Sequence, residues 1–202
     1  MSSSIVCKQH WLKTPSPQTG FANDSPDECQ TQFERIVDRI ETCVCPEGTS
    51  DGQLSNWAFV NDELLYLDVS TPFYRDSNGA SLLDWKNYMG PIPALLRWYY
   101  MREVPKVLDK YFDLRGQLLD FLGNLRKEQL DHLTPDFTDY VNERFNFEKP
   151  ITATDIQRFY NEDAKMYALV ERLRKVDRWV HRNILRRTYP YLLAPNIERN
   201  LY

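Results

Sequence analysis

The stretch Asp51-Gly-Gln-Leu-Ser-Asn56-Trp-Ala-Phe-Val-Asn-Asp-Glu-Leu-Leu-Tyr-Leu-Asp68-Val-Ser-Thr-Pro72 decides how this chain is read. Trp57 to Val60 is a short run of bulky and branched residues, as partly buried strands carry. Asn61-Asp62-Glu63 supplies a turn, and Leu64 to Val69 a return strand that Pro72 stops. In an antiparallel pair, the loop entering the first strand and the end of the second lie at the same edge. The spacing therefore predicts that Asp51, Asn56 and Asp68 converge on one small volume. Two carboxylates and an amide oxygen are hard donors suited to Mg²⁺. Asp68 follows Leu64-Leu65-Tyr66-Leu67, where a carboxylate is costly to bury unless paired or metal-bound. The plainer alternative is that Asp and Asn are common turn residues, and Asp51-Gly52 an ordinary turn.

Outward from the hairpin the pattern is helical. Phe33, Ile36, Val37 and Ile40 recur at helical spacing between Gln32 and Cys43, and Pro46 and Gly48 end that helix. Before it, Leu12 to Glu28 is dense in Pro, Ser, Thr, Asn and Asp and reads as loop. After Pro72, Ser81-Leu-Leu-Asp84 resembles a capping box opening a helix, which Gly90-Pro91-Ile92-Pro93 breaks. Ala94 to Tyr111 is a further helix, with Pro105 allowing a kink or a new start. Arg115 to Leu133 carries a leucine stripe, and Thr134-Pro135 reads as an N-cap followed by a first-turn proline. The chain restarts as a helix at Thr152 to Thr154 and continues to about Arg187. A two-stranded hairpin is not stable alone and must lie on helices. The expected fold class is mainly α with a small antiparallel β ribbon (α+β). Residues 1–28 form an irregular Ser/Pro-rich segment, and residues 29–202 a single helical domain.

Composition sets the bounds. The 202 residues are 42% hydrophobic and 13% aromatic, enough for one sizeable core. A net charge of -4 argues against a chain-wide nucleic-acid binder. Charge is uneven, however: residues 171–202 hold eight basic residues against three acidic ones, a net +5. This basic helix could meet phosphate, nucleic acid or an acidic partner, or be a solvated face. No stretch is long and apolar enough to span a bilayer, so no membrane partner is expected. The polar start Ser2-Ser3-Ser4 does not read as a secretory leader, which makes a reduced cytoplasmic setting with free thiols the expectation. Cys43 and Cys45 could hold a metal with Cys29 and His10, but neither a second Cys-x-x-Cys nor paired histidines support a zinc site. His10, His132 and His181 are scattered and suggest no nucleophilic triad. Trp85, Tyr88, Trp98, Tyr99 and Tyr100 read as core aromatics. Asn124-Leu-Arg-Lys-Glu128 is polar amid leucines, either an outer face or a group supporting a site.

Asp51-x-x-x-x-Asn56 followed by Tyr66-Leu67-Asp68 resembles the catalytic loop and metal-binding Asp of the aminoglycoside phosphotransferase and protein-kinase-like superfamily. Asp51 to Ala58, Leu67 to Pro72, Asp109 to Leu130 and Tyr189-Pro-Tyr-Leu-Leu193 resemble an uncharacterised bacterial family of kinase-like proteins, over roughly Gln32 to Arg199. The resemblance implies a kinase C-lobe, with Asp51 as catalytic base and Asn56 and Asp68 as the metal and cofactor ligands. It implies ATP and Mg²⁺ as cofactors and a small-molecule hydroxyl as acceptor. Thr49 and Ser50 stand where such enzymes carry His near the base, and Val69-Ser70-Thr71 follows Asp68 in place of Phe-Gly. No Gly-rich loop precedes Asp51, although Ile5-Val6-Cys7-Lys8 echoes the strand that carries the nucleotide Lys. The expectation is thus a lone C-lobe, completed by a protein partner, paired as a homodimer, or working as a catalytically silent binding or regulatory module.

Overall fold

The computed structural model describes residue 21 and residues 24–67, 73–83, 89–90 and 92–191. The chain is mainly helical with small antiparallel β pairs, as its patterning requires. Helix α1 spans Pro26–Cys43. Its start corrects the expected loop boundary: Ser25 and Glu28 form a reciprocal capping box with Pro at the first helical position. Ser25-Pro26 thus opens a helix rather than a loop, because that proline's missing N–H costs nothing there. Phe21, read as part of the irregular segment, is buried and packs edge-on against Phe137 at 5.9 Å.

Two strand pairs follow. β1 (Gly48–Thr49) pairs with β4 (Phe73–Tyr74), and β2 (Trp57–Val60) pairs with β3 (Glu63–Tyr66), both antiparallel. The β2–β3 turn is Asn61-Asp62, two residues rather than the expected three, with φ of 49° and 64°. Two successive positive φ values make the turn that matches strand twist, and Asn and Asp tolerate them best. Arg35 of α1 holds this turn, donating to Asp62 Oδ1 at 2.6 Å, while its guanidinium lies 5.0 Å from the Phe59 ring centre.

Helices α2 (Ala94–Asp109), α3 (Leu114–Lys127), α4 (Thr134–Phe145) and α5 (Ala153–Asn183) complete the order, with 3₁₀ turns before β2, after α2 and before α4. α2 runs through Pro105 without a new start. The leucine stripe expected to reach Leu133 breaks at Lys127, where α3 ends, and Gln129 takes a φ of 62°. Leu133 rather than Thr134 is the N-cap of α4, because the 3₁₀ turn Asp131–Leu133 runs directly into it. Thr152 and Asp155 form the capping box of α5. Ser81 pairs with Arg75 in an isolated bridge and its hydroxyl accepts from the Leu83 N–H at 3.2 Å, so the helix expected to open at Ser81 does not include Leu82 and Leu83; residues 84–88 of that expected helix lie outside the described residues.

The core sits where α1, α3 and α4 meet under the ribbon. Phe33 stacks on Phe137 at 3.9 Å and tilts on Phe121 at 5.3 Å, with Ile36, Leu118, Leu122, Leu125 and Val141 around them. The expected aromatic core of α2 is corrected: Trp98 is 72% exposed and Tyr99 43%. Arg97, Met101 and Arg102 on the same helix are exposed as well. Trp85 and Tyr88, and the side chain of Tyr100, lie outside the described residues.

Candidate functional site

The loop from Thr49 to Asn56 is built on one buried side chain. Gln117, on α3, is 0% exposed. Its Oε1 accepts from the Gly52 N–H at 3.2 Å; its Nε2 donates to Thr49 Oγ1 at 2.7 Å, to Tyr111 O at 3.1 Å and to Ser50 O. An amide is the side chain that can satisfy both a donor and carbonyl acceptors of a buried loop at once. Trp57 Nε1 donates to Gly52 O at 3.2 Å, and the Asp51 N–H donates to the Tyr66 hydroxyl at 3.2 Å. The ribbon and α3 thus grip the loop from two sides.

Within it, the Asn56 amide nitrogen donates to the Asp51 backbone carbonyl at 3.0 Å. That bond orients the Asn56 side chain and commits its nitrogen rather than its oxygen. The Leu67 N–H donates to Asn56 O at 2.7 Å, tying the end of β3 to the same loop. The structure therefore brings Asp51, Asn56 and Leu67 together; Asp68, the residue after Leu67, lies outside the described residues. The Asp51 carboxylate accepts from Gln53, from its backbone N–H at 3.1 Å and from Nε2 at 3.2 Å. Lys127 Nζ in turn reaches Gln53 Oε1 at 3.3 Å.

Beneath the loop lies a second carboxylate that the sequence reading missed. Asp120 is 2% exposed. It accepts from Lys110 Nζ at 3.2 Å, Tyr111 Oη at 3.3 Å and Asn124 Nδ2 at 3.3 Å. Burial pushes its carboxyl up to about 6; the Lys110 ammonium pulls it back and the Asp51 charge raises it further. Tyr111 is held neutral by burial and by the Asp120 and Asp51 charges, which push its phenol far above its ordinary value. Tyr111 also stacks on Phe73 of β4 at 5.0 Å, so the two strand pairs share this floor. The Asn124-to-Glu128 segment divides: Lys127 reaches the loop through Gln53, Asn124 donates to Asp120, and Arg126 pairs with Asp131 at 2.5 Å. A polar residue recurring within the buried stripe of α3, as Gln117, Asp120 and Asn124 do, is the signal that was available.

The other candidates separate. Cys29 and Cys43 lie at opposite ends of α1, which puts about 21 Å of helix between them and rules out a shared metal. Cys29 is buried, and burial with the Asp24 and Glu28 charges pushes its thiol up. Cys45 donates to Gly48 O at 3.3 Å within the turn before β1. Cys7, Lys8 and His10 lie outside the described residues. His132 is exposed, and His181 faces Asp177 at 3.4 Å. Among the described residues, no three of His, Cys, Asp and Glu form a group able to hold a metal, and no helix is long and apolar enough to cross a membrane.

Residues 11–178 match the model of a family of unknown function (DUF6206). The chain belongs to that family. No curated protein and no solved structure matches it. The matched span holds the whole loop, both strand pairs, α3 with Gln117 and Asp120, and α5 as far as Arg178. The grip on Asp51 is therefore built within the family's own boundaries.

Proposed function

We propose that this chain is a kinase-like phosphotransferase domain that binds Mg-ATP at the Asp51–Asn56 loop and phosphorylates a small-molecule hydroxyl. One observation carries the reading: the Asn56 amide nitrogen is anchored on Asp51 O while the end of β3 is tied to Asn56 O. This leaves Asn56 Oδ1, a hard donor, as the free end of an oriented side chain among the described residues. Asn56 and Asp68 would hold the metal; Mg²⁺ is commonly held by one or two protein oxygens, with phosphates and water completing its shell. When bound, Mg²⁺ would neutralise charge on the phosphate oxygens. Asp51 would accept the acceptor hydroxyl's proton as the new O–P bond forms and the bond from the γ-phosphorus to the departing ADP oxygen breaks. For that, the Gln53 amide must leave the carboxylate, and Lys127 provides a second anchor for it.

A second reading is favoured by a specific observation. Both Asp51 carboxylate oxygens accept from Gln53, which is how an aspartate closes a turn. On that reading the domain is a catalytically silent binding or regulatory module with an intact loop.

Thermal melting with and without MgATP, beside Asn56→Ala and Asp68→Asn, tests the proposal. Ligand that binds only the folded state stabilises it by mass action, by about 2.7 kcal/mol at a hundredfold excess over Kd, and so raises the melting temperature. The expected result is a MgATP-dependent rise lost in both variants. A melt indifferent to millimolar MgATP would leave the silent module standing. A rise that persists in both variants would place the ligand elsewhere.

A further inference from the structure

A second surface, remote from the loop, has the chemistry of an anion site. Arg178, Arg182, Arg186, Arg187, Thr188 and Tyr189 line a concavity of about 480 Å³ where α5 ends. Arg178 and Arg182 are one helical turn apart and leave the same face. Past Asn183 the chain folds back. Arg186 takes a left-handed φ of 52°, and the Arg187 N–H donates to His181 O at 2.8 Å. That turn sets Arg186, Arg187 and Tyr189 beside the helix end, with the Tyr189 ring edge-on to His181 at 5.5 Å.

Among the described residues, the neighbouring acids on α5 are engaged with other side chains. Glu171 pairs with Arg174 at 2.8 Å, and Asp177 faces His181 at 3.4 Å. None of the four arginines has an acidic partner among the described residues. Among the described residues, the buried Tyr189 hydroxyl has no hydrogen-bond partner. Four guanidinium groups in one hollow repel one another, and the helix C-terminus relieves only part of this. A buried hydroxyl without an acceptor also costs stability. One compact polyanion would remove the repulsion among the guanidinium groups.

We propose that this concavity binds a phosphoanhydride, the di- or triphosphate group of a small molecule. Guanidinium forks match phosphate oxygens bidentately, and linked phosphates concentrate charge within the reach of one helical turn, about 5.4 Å. A neighbouring concavity of about 490 Å³, lined by Lys175, Arg178, Trp179, Arg182 and Asn183, shares two of the arginines. Its exposed indole and amide offer a stacking face and a polar edge beside the phosphates. The phosphoanhydride can therefore come from an inorganic polyphosphate or from a nucleotide.

Calorimetric titration of the full chain with tripolyphosphate and with ATP, in magnesium-free buffer, tests this. Tripolyphosphate is expected to bind wild type and to bind the exposed-surface double variant Arg182→Gln/Arg186→Gln at least about tenfold more weakly. Arg172→Gln, on the same helix outside the concavity, is expected to bind like wild type. Tighter binding of ATP than of tripolyphosphate, with the difference abolished by Trp179→Ala, would identify a nucleotide; equal affinities would identify a polyphosphate. No heat at millimolar ligand overturns the proposal, as does equal weakening in Arg172→Gln, which would mean diffuse charge. Loss of binding in Asp51→Ala would assign the ligand to the loop instead. Displacement of tripolyphosphate by a single-stranded oligonucleotide that binds more tightly would make the surface a nucleic-acid contact. Far-UV circular dichroism of each variant keeps loss of binding distinct from loss of fold.

Discussion

Replacing Gln117 by Met tests whether one side chain organises the candidate site. Methionine keeps the length and nearly the volume of glutamine, so the buried position stays filled and the change isolates hydrogen bonding. Four contacts disappear: the acceptor for the Gly52 N–H and the donor to Thr49 Oγ1, Ser50 O and Tyr111 O. Each buried group left without a partner costs about 1–3 kcal/mol, but the loop can turn some of them to water. A net loss of about 3 kcal/mol is the central expectation. For a chain of this length 1 kcal/mol moves the melting temperature by roughly 2–4 °C, so Gln117→Met should melt roughly 6–12 °C lower. The accompanying site effect is a loss of the MgATP-dependent rise even at temperatures where the variant is fully folded, because Gly52 no longer fixes Asp51. A melt within about 1 °C of wild type would refute the argument, since that is too small for even one uncompensated buried donor.

Two other expectations follow from the same floor and its supports. The Asp120 carboxyl stands at about 6 in the folded chain against 3.8 for a free aspartate side chain, so the folded state binds its proton more tightly. Its charge therefore weakens the fold above about pH 6, and that penalty is relieved as pH falls through this value. Denaturant unfolding of wild type minus Asp120→Asn should show wild type gaining about 1 kcal/mol between about pH 7.5 and about pH 5; a flat difference would mean the carboxyl is not destabilised by burial. Gly116→Ala would drive a Cβ into the Lys110 carbonyl, a backbone atom that cannot swing away, whereas Gly123→Ala meets the Phe159 ring at 2.6 Å, which can rotate. Gly116→Ala should therefore be the more destabilising, by roughly 2 kcal/mol, in equilibrium unfolding; equal losses would contradict the close approach of α3 to the turn before it.

The sequence by itself determined the periodicities. Phe33, Ile36, Val37 and Ile40 had to form one face of α1, because a 3.6-residue repeat gathers them there, and the bulky runs on either side of Asn61-Asp62-Glu63 had to fold back on each other, although only the structure showed that the turn itself is Asn61-Asp62. It also put Asp51 and Asn56 in one loop and predicted Asp68 beside them, since antiparallel pairing fixes which ends meet; Asp68 itself lies outside the described residues. It did not determine the start of α1, because Ser-Pro opens a helix as readily as it marks a loop, and only the Glu28 partner decides between them. It misjudged Trp98 and Tyr99, since an aromatic stripe says nothing about whether another element arrives to cover it. The floor of the site was the least legible part. Gln117 lies 65 positions from Gly52 and Asp120 is 10 from Lys110, and no local pattern joins them. Only the packing of α3 under the ribbon removes water from these groups, and it is that removal which gives an ordinary glutamine its grip on the loop and an ordinary aspartate its raised pKa.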